Sequence, residues 1–135
     1  MEVSHCPLDQ AVLQYSEAGG HVSFACKSCK GAWFPNKYFE ALKHTREYEP
    51  AEFYKRLERL IGRSSGIPCP AGCGSLTAVN LEEFEVDWCT ECRGVWFDGG
   101  ETEKLLEKYP SPYQAQQSHS GLGMALATLL STLLG

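Results

Sequence analysis

Cys69 and Cys73 are separated by three residues, and fifteen residues further on Cys89 and Cys92 are separated by two. Cysteine pairs at this spacing sit on tight turns, and an intervening hairpin brings the two turns to one tetrahedral ion. Four soft thiolates select zinc, and a set without an open position describes a structural site rather than a catalytic one. Cys6, Cys26 and Cys29 supply a second set, one sulfur short. Asp9 falls where a second cysteine of the first turn would stand, and a carboxylate at Cys6-x2-Asp9 has the reach to ligate zinc. His21 and His5 compete for that fourth position, as does water, although His5 adjoins Cys6 and is poorly placed to share its ion. The expected content is two zinc ions per chain.

Seven cysteines is an odd number, which argues against a closed disulfide framework. The opening residues Met1 to Cys6 have neither the basic flank nor the apolar stretch of a secretory signal. Reduced, metal-binding thiols and a cytoplasmic location are therefore expected. The formal charge is −5, and filling both sites would carry it to about −8. Residues 1–62 hold eight basic and eight acidic side chains, whereas residues 63–135 hold four and nine. That balance disfavours sequence-independent binding to phosphate backbones.

An internal repeat organises the chain. Cys6-Pro7, Leu13, Cys26, Cys29 and Gly31-Ala32-Trp33-Phe34 recur at a single offset of 63 as Cys69-Pro70, Leu76, Cys89, Cys92 and Gly94-Val95-Trp96-Phe97. Each copy reads as a β-hairpin followed by a short helix. In the second, Ser75 to Val79 and Phe84 to Trp88 flank a turn near Asn80, and Phe84, Val86 and Trp88 alternate with Glu85 and Asp87 in the pattern of a half-buried strand whose acidic face is turned to solvent. In the first, Val12 to Tyr15 and His21 to Phe24 flank Glu17-Ala18-Gly19-Gly20, with Val22 and Phe24 out of phase with Val86 and Trp88. Asp98 and Glu101 have the spacing of a capping box for a helix ending near Lys108. Asn36, Tyr38, Phe39 and Leu42 mark a shorter helix in the first copy.

The expected fold is a small zinc-stabilised α+β protein. Residues 1–47 form a first zinc ribbon and 67–109 a second. An amphipathic helix over 48–62, with Phe53, Leu57, Leu60 and Ile61 on one face, and a flexible linker over 63–66 connect them. Residues 110–120 read as a disordered linker, and 121–135 as an amphipathic C-terminal helix with Leu122, Ala125, Leu126, Leu129, Leu130, Leu133 and Leu134 along one face.

The second copy, Cys69-Pro70…Cys73…Leu76…Trp88-Cys89-Thr90-Glu91-Cys92-Arg93-Gly94-Val95-Trp96-Phe97-Asp98-Gly99-Gly100-Glu101, resembles the transcription-factor-IIB-type zinc-finger family. It departs in the extra residue between its first two cysteines, which is expected to widen that turn. The first copy shares Cys6-Pro7, Leu13, Cys26, Cys29, Gly31, Trp33 and Phe34. It departs at Asp9 and lacks the acidic run after its aromatic pair. The resemblance implies a zinc-ribbon fold and metal binding, and the family name suggests transcription without establishing it.

Apart from the ligands, the sequence offers no nucleophile–histidine constellation and no phosphate-cradling glycine loop, so an enzyme is not expected. Trp33-Phe34 and Trp96-Phe97 read as mini-cores beneath the metal knuckles, with stacking platforms for nucleic acid as the alternative. Residues 121–135 are too few to span a bilayer, and without basic residues they read as an element for self-association or a partner groove, with folding back onto the ribbons as the alternative. The functional expectation is a non-enzymatic adaptor or regulatory ribbon protein. A nucleic-acid-binding transcription-related protein and a thiol redox or zinc sensor are the alternatives. Structural zinc contributes on the order of 10–16 kcal/mol in small domains. Chelation is therefore expected to unfold at least the second copy, seen as lost far-ultraviolet circular dichroism that zinc restores.

Overall fold

The computed structural model describes residues 5–18, 21–39, 50–109 and 125–130. The chain runs through β1 (Gln14–Ala18), β2 (His21–Ala25), β3 (Ala32–Phe34), α1 (Pro50–Arg59), β4 (Arg63–Pro68), β5 (Ser75–Leu81), β6 (Phe84–Trp88), β7 (Val95–Phe97) and α2 (Gly99–Lys108). Residues 36–39 and 125–130 are also helical. The seven strands form one antiparallel sheet in the order β1-β2-β3-β7-β6-β5-β4.

Each copy thus adds a third strand to its hairpin, built from the aromatic run after the second cysteine pair. These strands, β3 and β7, pair with each other: Ala32 opposes Phe97, Trp33 opposes Trp96, and Phe34 opposes Val95. Trp33 and Trp96 are equivalent residues of the repeat, so a pseudo-two-fold axis passes through their pairing. The equivalence extends to the strand ends, where His5 pairs with Val12 as Pro68 pairs with Ser75.

Successive side chains along a strand point to opposite faces, and both faces here are covered. On one, Phe34, Val86, Trp88 and Phe97 form a buried cluster with Phe53 and Leu57 of α1 and Leu105 of α2. On the other, Trp33, Trp96, Leu13 and Leu76 cluster with Cys6, Cys26, Cys69 and Cys89. Trp33, Phe34, Trp96 and Phe97 are each no more than 1% exposed, as the mini-core reading expects.

Several expectations need correction. Arg63 to Gly66 is no linker but the start of β4, an edge strand on β5. Its Arg63 guanidinium pairs with the Glu85 carboxylate at 2.6 Å, and the Ser65 hydroxyl donates to the Leu76 carbonyl at 2.9 Å. The β5–β6 turn lies at Glu82 and Glu83, beyond Asn80, which pairs with Glu85. In the first copy the leading strand starts at Gln14, later than Val12, while Gly19 and Gly20 of its turn lie outside the described residues. Ile61 is 96% exposed and leaves the α1 stripe, because the helix ends at Arg59.

The capping box does not form. Asp98 occupies the N-cap of α2 without a side-chain bond, and Glu101 Oε2 accepts the Glu85 N–H at 3.1 Å, tying the helix to β6. Nor does Asp87 face solvent. It lies opposite Trp96 on the covered metal-side face and is 3% exposed, where burial and then the Asp98 and Glu85 carboxylates push it up to about 6. The first copy keeps the burial phase of β6 after all. Ser23 and Ala25, equivalent to Val86 and Trp88, are buried, and Phe24 takes the place of Asp87 and packs on Tyr15 with centroids 5.2 Å apart.

The tail was expected to offer its stripe to another chain. Ala125, Leu126, Leu129 and Leu130 instead belong to the main core, each no more than 1% exposed. This removes the ground for assembly through that part of residues 121–135. Residues 110–120, with the expected disordered linker, and Leu42, Leu122 and Leu133 lie outside the described residues.

Two glycines fix how closely the halves approach. A Cβ on Gly94 would collide with the Trp33 ring, and one on Gly31 with the Trp96 ring. Each tryptophan therefore lies across the glycine of the other copy. Overpacking of this kind costs roughly 1–3 kcal/mol or more. Gly94→Ala is expected to destabilise the zinc-loaded protein by about 3 kcal/mol in urea unfolding. Gly100→Ala, in α2 with nothing within 4 Å of the new methyl, is expected to raise stability by about 0.5–1 kcal/mol.

Candidate metal centres

Four tight turns carry the ligands, and all close in the same way. The Cys6 N–H donates to Ala11 O at 2.8 Å, Cys26 to Gly31 at 2.9 Å, Cys69 to Gly74 at 2.6 Å and Cys89 to Gly94 at 2.9 Å. In three of them a residue with left-handed backbone follows the second ligand position: Gln10 (φ 66°), Lys30 (φ 69°) and Arg93 (φ 66°). Asp9 precedes Gln10 as Cys29 precedes Lys30 and Cys92 precedes Arg93, so the backbone treats Asp9 as a ligand position.

The fourth turn is different, but it is not widened as expected. Its closing bond spans the same five residues as the others, and the ligand has moved one place along, to Cys73. Gly72 (φ 87°) and Gly74 (φ 140°) absorb the change with conformations that side chains resist.

The turns bring together the residues expected from the cysteine spacing. Donor atoms of Cys69, Cys73, Cys89 and Cys92 all lie within 4.8 Å of one another, as do those of Cys6, Asp9, Cys26 and Cys29. His5 belongs to neither donor group, and the His21 side chain lies outside the described residues. Zinc–sulfur bonds of about 2.3 Å place tetrahedral sulfurs about 3.8 Å apart, and a zinc–oxygen bond of about 2.1 Å places oxygen about 3.6 Å from sulfur. Cys69 Sγ and Cys92 Sγ are 3.7 Å apart, and Cys6 Sγ and Cys29 Sγ 3.6 Å. The Asp9 carboxylate oxygens stand 3.5 Å from Cys26 Sγ. Both sets have the dimensions of a tetrahedral zinc site.

The surroundings favour anionic sulfur only in part. Backbone N–H groups point at the thiols, from Leu8 to Cys6 Sγ at 3.4 Å, Gly31 to Cys29 Sγ at 3.4 Å, Ala71 to Cys69 Sγ at 3.4 Å and Cys92 to Cys89 Sγ at 3.4 Å. Burial outweighs these donors at several positions. It pushes the Cys6 thiol up to about 12 and Cys73 up to about 11, and raises Cys29 and Cys92 as well. At Cys89 burial also opposes ionisation, but the Cys92 and Glu91 N–H groups win and the thiol lies below its ordinary value. Sulfurs packed this closely need a divalent cation to ionise together, and zinc supplies it. The Ala11 N–H, 3.0 Å from Oδ1, holds Asp9 below the usual carboxylate range and ready to ligate.

Two hydroxyls buttress the turns from outside, a feature that spacing alone did not signal. Thr102 Oγ1, on α2, donates to the Lys30 carbonyl at 2.8 Å, a proton shared with the Gly99 carbonyl at 2.9 Å. The Tyr54 hydroxyl, on α1, donates to the Arg93 carbonyl at 2.5 Å. Lys30 and Arg93 are equivalent in the repeat, so each half has its second turn clamped at the same atom.

Native mass spectrometry of the full chain is expected to show two zinc ions, falling to one in Asp9→Ala and returning to two in Asp9→Cys. Two zincs retained by Asp9→Ala would remove Asp9 from the ligand set.

No curated protein and no solved structure matches the chain. A family model does: that of the transcription factor zinc-finger, a zinc ribbon of the transcription-factor-IIB type. The match spans all four ligands of the second site together with β5, β6, β7 and α2, and it does not reach the first copy. Residues 68–108 thus match a transcription factor zinc-finger, and the likeness to that family is confined to this segment.

Proposed function

We propose that the chain is a non-enzymatic pair of tandem zinc ribbons, joined through their third strands, that acts as an adaptor for a protein partner. The observation that carries this reading is the burial of Trp33, Phe34, Trp96 and Phe97, none more than 1% exposed. A ribbon that gripped single strands would present such aromatics to the bases. These are committed to the core. Both donor sets have four members, which favours closed structural sites over catalytic ones with a position kept for water or substrate.

Charge supports the same choice. Twelve basic side chains face seventeen acidic ones, and Arg56, Arg63, Arg93 and Lys108 are each engaged by a carboxylate of Glu82, Glu85, Glu58 or Glu83. Phosphate binding needs uncommitted cations in a row. An acidic plate suits a neutral or basic protein surface better. Among the described residues no helix is long and apolar enough to cross a membrane.

Fluorescence anisotropy with labelled single- and double-stranded DNA and RNA tests the choice. At about 50 mM salt, binding weaker than roughly 100 µM is expected, the weak end of non-specific affinity. Saturable binding below a micromolar, with a steep salt dependence, would sink the adaptor reading in favour of a nucleic-acid-binding ribbon.

A further inference from the structure

We infer that the two metal sites are thermodynamically coupled, so that zinc at either site raises the affinity of the other. The two donor sets do not sit in separate cores. Cys6 and Cys26 of the first and Cys69 and Cys89 of the second share one buried cluster with Trp33 and Trp96. Beyond the β3–β7 pairing, the turns themselves make contacts between the halves. Gly31, whose N–H points at Cys29 Sγ at 3.4 Å and whose carbonyl closes the Cys26 turn, is covered by the Trp96 ring. Gly94, whose carbonyl closes the Cys89 turn, is covered by the Trp33 ring.

The second half also holds the first site from outside. Thr102 donates to Lys30, and Gly99 packs so closely on the Cys29 carbonyl that a Cβ there would overlap it. Residues 99 and 102 are placed by β7 and α2, which follow directly from Cys92. Without metal at the second site, its turns lose their tie to each other and β7 loses its anchor. The first site then loses the strand opposite β3 and the clamp on Lys30. The same reasoning runs backward through Trp33 and Gly94. Coupling of this kind spans about 5- to 150-fold in affinity.

Coupling has a signature in the population of half-loaded chains. Two equal independent sites leave about one half of the chains with a single zinc at the midpoint of removal, and unequal independent sites leave more. A coupling of about 100-fold between sites of similar affinity holds that fraction to roughly a tenth. Native mass spectrometry of the full chain under graded chelator reads it directly. The expected result is a passage from two zincs to none, with the one-zinc species below half throughout. Thr102→Val keeps every ligand and removes only the clamp, and it is expected to raise the one-zinc fraction several-fold by emptying the first site earlier. A one-zinc species at half or more of the wild-type chains would overturn the inference. So would an unchanged one-zinc fraction in both Thr102→Val and Trp33→Phe, since neither contact would then carry coupling.

Discussion

Three residue pairs between β3 and β7, with Trp33 opposite Trp96 at their centre, hold the rest of the architecture in place. A three-stranded ribbon with a knuckle at one end has little interior of its own, and a module of that size does not bury enough apolar surface to stand alone. Pairing the third strands joins two such sheets into one, and the edge strand β4 brings it to seven strands. The pairing hides an edge that would otherwise present unpaired backbone groups. It also places the two cysteine-rich ends on the same face, where their turns and the two tryptophans complete each other.

The two faces of the sheet then divide the stabilising work. The helical face is packed with apolar side chains from α1, α2 and residues 125–130 around Phe34, Trp88 and Phe97. The metal face has few large side chains beyond Trp33, Trp96, Leu13 and Leu76, and the buried sulfurs fill the remainder. Removing zinc would leave that face with thiols whose burial resists ionisation and whose turns lack a tie across the hairpin. Metal is therefore the counterpart on one face of what the helices supply on the other.

Much of this was legible from residue spacing. The cysteine intervals anticipated the two groups of donor atoms that the fold draws together, with Asp9 the leading choice for the first, because a tight turn permits few positions for a second ligand. The offset of 63 exposed the repeat, and the stripe of Phe53 and Leu57 marked α1. What stayed hidden was non-local. The strands Ala32–Phe34 and Val95–Phe97 are too short for alternation to distinguish them from loop, and nothing in either run states that it pairs with the other. Arg63-Ser64-Ser65-Gly66 has a linker's composition, because an exposed edge strand needs few apolar residues. The stripe along the tail showed that a face is buried but not what buries it. Asp87 misled for a related reason: alternation implies a solvent face only if nothing covers that face, and the tryptophan cluster does.

The departures of the two copies from each other show which constraint is strict. At offset 63, Asp9 aligns with Gly72 and Gln10 with Cys73, so the fourth ligand comes from different positions in the two copies. The closing bond from the first cysteine to the residue five places on is the same in all four turns, at 2.6–2.9 Å. The backbone frame is thus held while the ligand atom within it varies. Moving the ligand one place along requires glycine on both sides, and Gly72 and Gly74 provide it. Keeping the place but changing the atom requires a side chain whose donor reaches the same point. A carboxylate oxygen is one bond further from Cα than a thiol sulfur, and the Asp9 oxygens stand 3.5 Å from Cys26 Sγ. That longer arm leaves Asp9 exposed while Cys6 and Cys26 are buried. The first site is thus most open at Asp9 and half-open at Cys29, where Gly99 and Thr102 of the second half pack on the Cys29 and Lys30 carbonyls.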